Sequence, residues 1–350
     1  MKNVRIGIIG VGGIAKSVHI PEIQKSKGGK ITAICDIDEQ ALYDVGEQLG
    51  IDENYRFKDY RDLIACDVVD AVEICTPNYL HVPMALDAIH AGKPVNVEKP
   101  LSINYLEAKK LEDALAVKSI PNMMCFSYRF KPAVRYAKWI LEKGLIGKVL
   151  SVNVEYLKSS AFWEGRKLDW RFIKKYAGTG VLGDLGVHLI DMTRFLIGDV
   201  ESVCATTGIV VKERQRIDSN EMGKVETDDY CNFLANIRGG VAGTFVITRC
   251  AIGHNNTIKY DIFGTEGVIS FDLNNPEILG VCIGEVDVKS FGMHNVKVPA
   301  EFYVTQEQTF IDLVNGKECK YLPTVKDGIE CQKILDALLQ SSEENRWVAL

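Results

Sequence analysis

The chain has no long hydrophobic run, no block of positive charge and no C-x-x-C pair. Its longest glycine-tolerant apolar stretch, residues 6–15, is well short of the roughly 20 residues that a membrane span needs. Met1, Lys2 and Asn3 lead straight into an alternating Val/Arg/Ile pattern, so neither a signal peptide nor a membrane anchor is expected. Lys and Arg total 41 against 47 Asp and Glu, a net charge of −6. Basic pairs such as Lys109-Lys110 and Lys174-Lys175 never grow into a patch able to neutralise many phosphates, which argues against nucleic acid as a partner. The ten cysteines are scattered, and several, Cys35 and Cys75 among them, lie inside apolar runs. That pattern suits buried, reduced thiols in a cytoplasmic protein better than disulfides or a zinc site. Repeats, low-complexity tracts and Pro-rich linkers are absent as well.

What is present is ordinary globular material: 350 residues, 47% apolar and 25% charged, enough for two domains with a large core. The first third alternates short β-branched runs (4–9, 31–35, 71–75, 95–97, 122–126) with amphipathic, helix-length stretches. Two of these, 39–49 and 82–91, are closed by Gly50 and Gly92. This is the rhythm of βαβ units and predicts a doubly wound parallel sheet. After Phe126 the pattern changes. A helix is expected over 132–143 and a strand over 149–156, followed by an irregular aromatic and basic stretch, 158–183, of the length that is usually functional. A helix at 184–197 then precedes runs at 203–211, 230–237, 241–247, 258–263, 268–271 and 280–288. Strands arriving with little helix between them predict a mainly antiparallel sheet in the second part of the chain. The expected division is 1–124 and 125–350.

Directly after the first strand comes Gly10-Val11-Gly12-Gly13-Ile14-Ala15. Gly10 permits a tight turn, Gly12 and Gly13 with Ile14 let backbone approach a pyrophosphate, and small Ala15 allows close packing of helix on strand. Glycines at a strand end can also form nothing more than a turn. The second strand, however, ends in Asp36, where a carboxylate can accept from adenosine ribose hydroxyls and repel a 2′-phosphate. Capping the next helix is the other use for Asp36, but Asp38 serves there equally well. NAD is therefore the expected cofactor, in preference to NADP.

Further on, Cys75-Thr76-Pro77-Asn78, Glu98-Lys99-Pro100 and Gly183-Asp184-Leu185-Gly186-Val187-His188-Leu189-Ile190-Asp191 follow in order. Together with the glycine motif, this combination resembles the Gfo/Idh/MocA oxidoreductases, the family of glucose-fructose oxidoreductase and inositol dehydrogenase. The resemblance extends over nearly the whole chain. It implies an N-terminal Rossmann domain and a C-terminal α/β domain whose open sheet is often used to form a homodimer or homotetramer. It also implies that Lys99 is the catalytic lysine and that Asp184 and His188 share the substrate site. Thr76, Pro77, Asn78, His81 and Glu98, with Lys99, would border the cofactor.

The residues themselves admit these roles and some blander ones. Thr76, Pro77 and Asn78 follow a buried strand at the carboxyl edge where doubly wound sheets bind ligands, though a plain turn would look the same. Pro100 disfavours helical geometry at Lys99. Asp184 and His188 stand at i and i+4, on one face of a helix; Asp184 could also cap that helix, and no motif offers the third ligand a metal would need. In the segment from Phe162 to Arg171, Trp163 and Trp170 can cover the C–H faces of a sugar while Arg166 and Arg171 bind its hydroxyls. The tryptophans could equally pin the loop to the core. Tyr128 and Arg129, just past the last strand of the first domain, are further substrate candidates. The expected activity is oxidation of a ring secondary alcohol in a sugar, sugar derivative or cyclitol, without a metal and with Lys99 as acid/base. A glycoside-cleaving lyase that retains NAD shares the same first step and is the alternative.

Overall fold

The computed structural model describes residues 3–350, and the chain divides into two compact units. The first runs to Phe126 and includes Thr305–Glu330. Its sheet is built from β1 (Val4–Ile9), β2 (Gly29–Cys35), β3 (Arg56–Phe57), β4 (Ala71–Ile74), β5 (Val95–Val97) and β6 (Asn122–Met124). All pairs are parallel, in the order β3-β2-β1-β4-β5-β6. This is the doubly wound order, reversing between β1 and β4, and ligands bind such sheets at the strand ends beside that reversal. Strands covered on both faces read as unbroken apolar runs, and Ile6, Ile8, Val72, Ile74, Val95 and Val97 are fully buried. Two polar residues break the rule: Glu73, in the middle of β4, and Asn96, in β5, are fully buried too.

The helix Glu39–Leu49 forms where expected, with Asp38 accepting from the backbone N–H groups of Gln40 and Ala41 and Gly50 in the left-handed region. Thr305–Glu330 is tied to the first unit by backbone: Met124 donates to the Pro323 carbonyl at 3.0 Å, and Val325 donates to Asn122 Oδ1 at 3.0 Å.

The second unit, Ser127–Val304 with Cys331–Leu350, holds a nine-stranded sheet. Its strands are β7 (Val149–Leu157), β8 (Val200–Gly208), β11 (Tyr230–Ile237), β12 (Val241–Thr248), β13 (Thr257–Gly264), β14 (Gly267–Asp272), β15 (Ile278–Ile283), β16 (His294–Lys297) and β17 (Val348–Ala349). The short strands β9 (Glu213–Gln215) and β10 (Met222–Lys224) form a separate ribbon. Among the described residues of the large sheet, β7 and β12 pair in parallel and the other pairings are antiparallel. Period-two alternation gives this sheet one buried face. Along β11, Cys231, Phe233, Ala235 and Ile237 are buried, while Asn232, Leu234 and Asn236 face out. The helix Val187–Leu196 lies on the buried face, where Tyr260 Oη donates to the Leu189 carbonyl at 2.7 Å.

One expected strand is half helix. The run 280–288 turns at Gly284 (φ 89°) and continues as the helix Glu285–Ser290, joined at i,i+4 by the Glu285–Lys289 ion pair. Its alternating valines imitate a strand, but the charge spacing is helical. Among the described residues no helix is long and apolar enough to cross a membrane.

Candidate active site

The glycine loop leaves β1 with Gly10 at φ 88°. A side chain there would also meet the Cys75 backbone at 2.9 Å, so the crossing of the loop over the end of β4 demands glycine twice over. At Gly12 and Gly13 a Cβ would meet nothing within 4 Å. These exposed positions form an open backbone cradle at the start of the helical turn that follows, which suits a pyrophosphate. Asp36 spans loop and strand: its Oδ2 accepts from Val11 N–H at 2.8 Å and its Oδ1 from Asp38 N–H at 3.0 Å. Each oxygen keeps a lone pair for a ribose hydroxyl. Ile14 is exposed beside the cradle, and Ala15 is fully buried beneath it.

At the ends of β4 and β5 stand Thr76-Pro77-Asn78 and Glu98-Lys99-Pro100. Pro77 precedes the helix Asn78–Ala91 at φ −61°. His81 is buried, with Nδ1 2.8 Å from the Pro100 carbonyl and Nε2 2.7 Å from the Thr76 carbonyl. It ties the two strand-end motifs together, so its ring is a brace and not a free cofactor contact. Burial lowers its pKa against the two carbonyls that favour its charged form. The Glu98 carboxylate is likewise turned inward, accepting from the Lys99 backbone N–H at 3.0 Å and lying 2.9 Å from His19 Nε2. Lys99 is half-buried, and its peptide bond to Pro100 is cis.

In the second unit, Asp184 lies in a π-helical turn, Leu182–Gly186, that runs into the helix bearing His188. Such turns are frequent at functional sites. The turn is clamped by the buried Asp228, whose oxygens accept from Gly180 N–H at 2.6 Å and Leu182 N–H at 2.9 Å. A Cβ on Gly180 would sit 2.1 Å from the Asp228 carbonyl oxygen, so this approach requires glycine. A cavity of about 460 Å³ opens beside Asp184, lined also by Lys158, Trp163, Arg166, Asp169 and Arg171. Trp163 is half exposed, with Lys158 and Arg166 over its ring at 5.4 and 5.6 Å. Arg166 donates to the Ser160 carbonyl at 2.7 Å. His188 is buried with its ring against Tyr128, centroids 4.5 Å apart. The Tyr128 hydroxyl lies 3.0 Å from that of Tyr156, and both reach Asn256.

Residues 4–124 match the model of an oxidoreductase family with an NAD-binding Rossmann fold, and residues 134–270 match the GFO/IDH/MocA C-terminal domain. The chain belongs to the Gfo/Idh/MocA oxidoreductases. A levoglucosan dehydrogenase from Pseudarthrobacter phenanthrenivorans is 29% identical over 99% of this chain and 98% of its own length. A glucose-6-phosphate 3-dehydrogenase from Bacillus subtilis is 26% identical over 98% and 97%. A solved levoglucosan dehydrogenase in complex with NADH and L-sorbose superposes with a TM-score of 0.91, at 30% identity over 100% of this chain and 99% of that one.

Within this Gfo/Idh/MocA chain, Asp184, Trp163, Arg166 and Arg171 share one cavity. Trp170 is not in its lining and instead carries the Arg171 guanidinium at 4.4 Å. Arg129 is buried and bidentate to Asp191, at 2.8 and 2.6 Å, so its donors hold the Gfo/Idh/MocA helix in place and are not presented to a ligand. Sequence reasoning missed Lys158, Tyr156 and Asn256. Only Lys158 had a signal, a cation one residue beyond a strand end. His19 had none, being a lone histidine after the glycine motif.

Proposed function

We propose that this chain is an NAD-dependent dehydrogenase that oxidises a ring secondary alcohol of a sugar, sugar derivative or cyclitol to a ketone. The observation that carries this reading is the cavity beside Asp184. It combines a half-exposed indole with three cations, Lys158, Arg166 and Arg171, and three carboxylates, Glu164, Asp169 and Asp184, the lining that a neutral polyhydroxylated ring requires. In this reading Lys99 takes the hydroxyl proton, while Asp184 and His188 orient that hydroxyl. When bound, NAD supplies the acceptor for the carbinol hydride. The Gly12–Gly13 cradle holds its pyrophosphate, and Asp36 its adenosine ribose, which favours NAD over NADP. Tyr128, linked to Tyr156 and Asn256, buttresses His188 from the side. The outward face of the nine-stranded sheet, bearing Leu234, about half exposed, is the surface through which a homodimer or homotetramer would form. Ten free cysteines support a reducing, cytoplasmic setting.

The test is a panel of sugars, sugar phosphates and cyclitols followed at the NADH absorbance, repeated with Lys99→Ala. We expect NADH formation with at least one member of the panel. Lys99→Ala should lower kcat by about 100- to 10,000-fold while NAD binding stays largely intact, as expected for a group used in the transition state. Near-normal turnover in the variant removes Lys99 from the mechanism. Glycoside cleavage without added NAD replaces the dehydrogenase with the lyase.

A further inference from the structure

The buried Glu73 of β4 belongs to a cluster that the reaction as read above does not use. His19, fully buried at the end of the π-helical turn Ala15–His19, has carboxylates at both ring nitrogens. Nε2 lies 2.9 Å from Glu98 Oε1, whereas Nδ1 lies 2.9 Å from Glu307 Oε1 and 3.1 Å from Glu73 Oε1. Four separate elements thus converge: the turn after the glycine loop, β4, the end of β5 and the helix Gln306–Val314. Asn96 donates to Glu73 Oε1 at 2.6 Å and Gln306 to Glu307 Oε1 at 3.0 Å. The thiols of Cys75 and Cys125 face the same ring, and burial raises both pKa values, that of Cys75 to about 12, so they stay neutral.

Ionised carboxylates only accept, so a histidine flanked by them at both nitrogens holds two N–H groups. Burial works against the imidazolium at His19, but the buried Glu73 carboxylate beside Nδ1 draws its pKa upward. Glu98 is lowered despite its burial, chiefly by His19. Burial and the neighbouring Glu73 raise Glu307 to about 7. One imidazolium therefore fixes Glu98 as a carboxylate, and the surplus negative charge falls on the far side of the ring. There Glu73 Oε2 and Glu307 Oε2 are buried without a donor.

The two oxygens of Glu98 point to different tasks: Oε1 meets His19, and Oε2 accepts the backbone N–H of Lys99. We propose that His19 is a positioning residue for Lys99, holding Glu98 in the orientation that anchors the lysine's backbone at the end of β5 and so fixes where its ammonium stands. The proposal rests on the reading of Lys99 as the proton acceptor, and its test keeps the two apart.

The experiment compares His19→Leu, which removes both donors, with His19→Gln, which retains one, in the full-length enzyme. The substrate is the panel member giving the highest rate. Alongside kcat and KM, the accessibility of Lys99 to acetic anhydride is followed against pH by mass spectrometry, with surface lysines of the same chain as internal standards. His19→Leu should lose about 30-fold or more in kcat, with NAD affinity held within about threefold, and His19→Gln should recover most of that loss. The acetylation midpoint of Lys99 should move by about half a pH unit or more in His19→Leu alone, as expected when the charges around an ammonium change. A folded His19→Leu with unchanged kcat and unchanged Lys99 acetylation overturns the proposal. So does a parallel loss of NAD affinity and thermal stability in both variants, which would make His19 a general packing residue. His19, Glu73 and Cys125 also have ligand atoms within 4.8 Å of one another, and a stoichiometric metal in the purified protein that is lost in His19→Gln overturns it as well. If His19→Leu does not fold, Glu98→Gln must show the same Lys99 shift, and its absence counts against the proposal. Because acetylation needs no turnover, it reports on His19 and Lys99 even if Lys99→Ala proves active and the acid/base reading falls.

Discussion

Each unit gathers like charges around one ring, and the two sets are opposite in sign. In the first, His19 faces Glu73, Glu98 and Glu307. In the second, the guanidinium groups of Arg166, Arg214 and Arg249 surround the fully buried Phe172 ring at 4.9, 4.5 and 4.8 Å. Asp229, 2.6 Å from Arg249 Nε, pairs directly with that group, and Asp228, Asp169 and Asp184 act on it at longer range. Excess carboxylate can be relieved by taking up a proton, and Glu307, raised to about 7, is where that happens. Excess guanidinium has no such outlet in the physiological range. The arginines are instead held by an aromatic face and by carbonyls: Arg214 donates to the Ala161 carbonyl at 2.7 Å and to that of Arg166 at 3.2 Å. The acidic cluster is thus adjustable by pH and sits behind a lysine assigned to proton transfer. The basic one is permanent and sits behind the Arg166 side of the cavity beside Asp184.

The largest effect should come from breaking the direct ion pair of the basic cluster. Asp229→Asn leaves Arg249, which is 2% exposed, without its counter-ion, and it sets an amide against the Val210 and Val211 N–H groups that donate to Asp229 Oδ2. We expect a loss of about 3 to 5 kcal/mol, read as an earlier urea transition by fluorescence. Phe172→Leu should cost less, about 2 kcal/mol, by shrinking the surface that all three guanidinium groups cover. It should also raise KM for the sugar more than it lowers kcat, since Arg166 loses its support while Lys99 is untouched. An unchanged KM would separate the arginine cluster from the cavity.

The smallest effect concerns the acidic cluster and appears only as a pH dependence. Glu307 has its pKa raised from 4.5 to about 7 on folding, so between those values the folded state binds more protons than the unfolded chain. Its contribution to stability therefore falls as pH rises through that window and stays low above it, by about 2 to 3 kcal/mol. Glu307→Gln cannot titrate. Its stability relative to the parent should increase by about that amount between pH 5 and pH 8 in paired urea titrations, and a constant difference would mean that Glu307 is ionised throughout.

Much of this protein could be read directly from residue order, because the features concerned are local. The helix at Glu39–Leu49 and its cap at Asp38, the glycine loop at Gly10, the alternation along β11 and the cavity residues around Trp163 depend on neighbours within a turn or a strand. The mainly antiparallel character of the second sheet was legible too, from strands that follow one another with little helix between them, although its central β7 pairs with the distant β12 and β13. Where a local pattern was ambiguous it misled: 280–288 alternates like a strand yet ends as a helix, and Arg129, next to a candidate tyrosine, is spent on Asp191. What residue order could not contain is the set of long-range pairings. Thr305–Glu330 groups with the first unit through hydrogen bonds to Lys27 and Asn122, residues far away in sequence. His19, Glu73, Glu98 and Glu307 look like four unrelated polar residues until a parallel sheet and a returning helix bring them within 3.1 Å of one ring. Local preferences act over a few residues and are written into the chain in order. Burial, and with it the protonation of a group such as Glu307, is set by whatever the fold packs against it, and only the tertiary structure decides that.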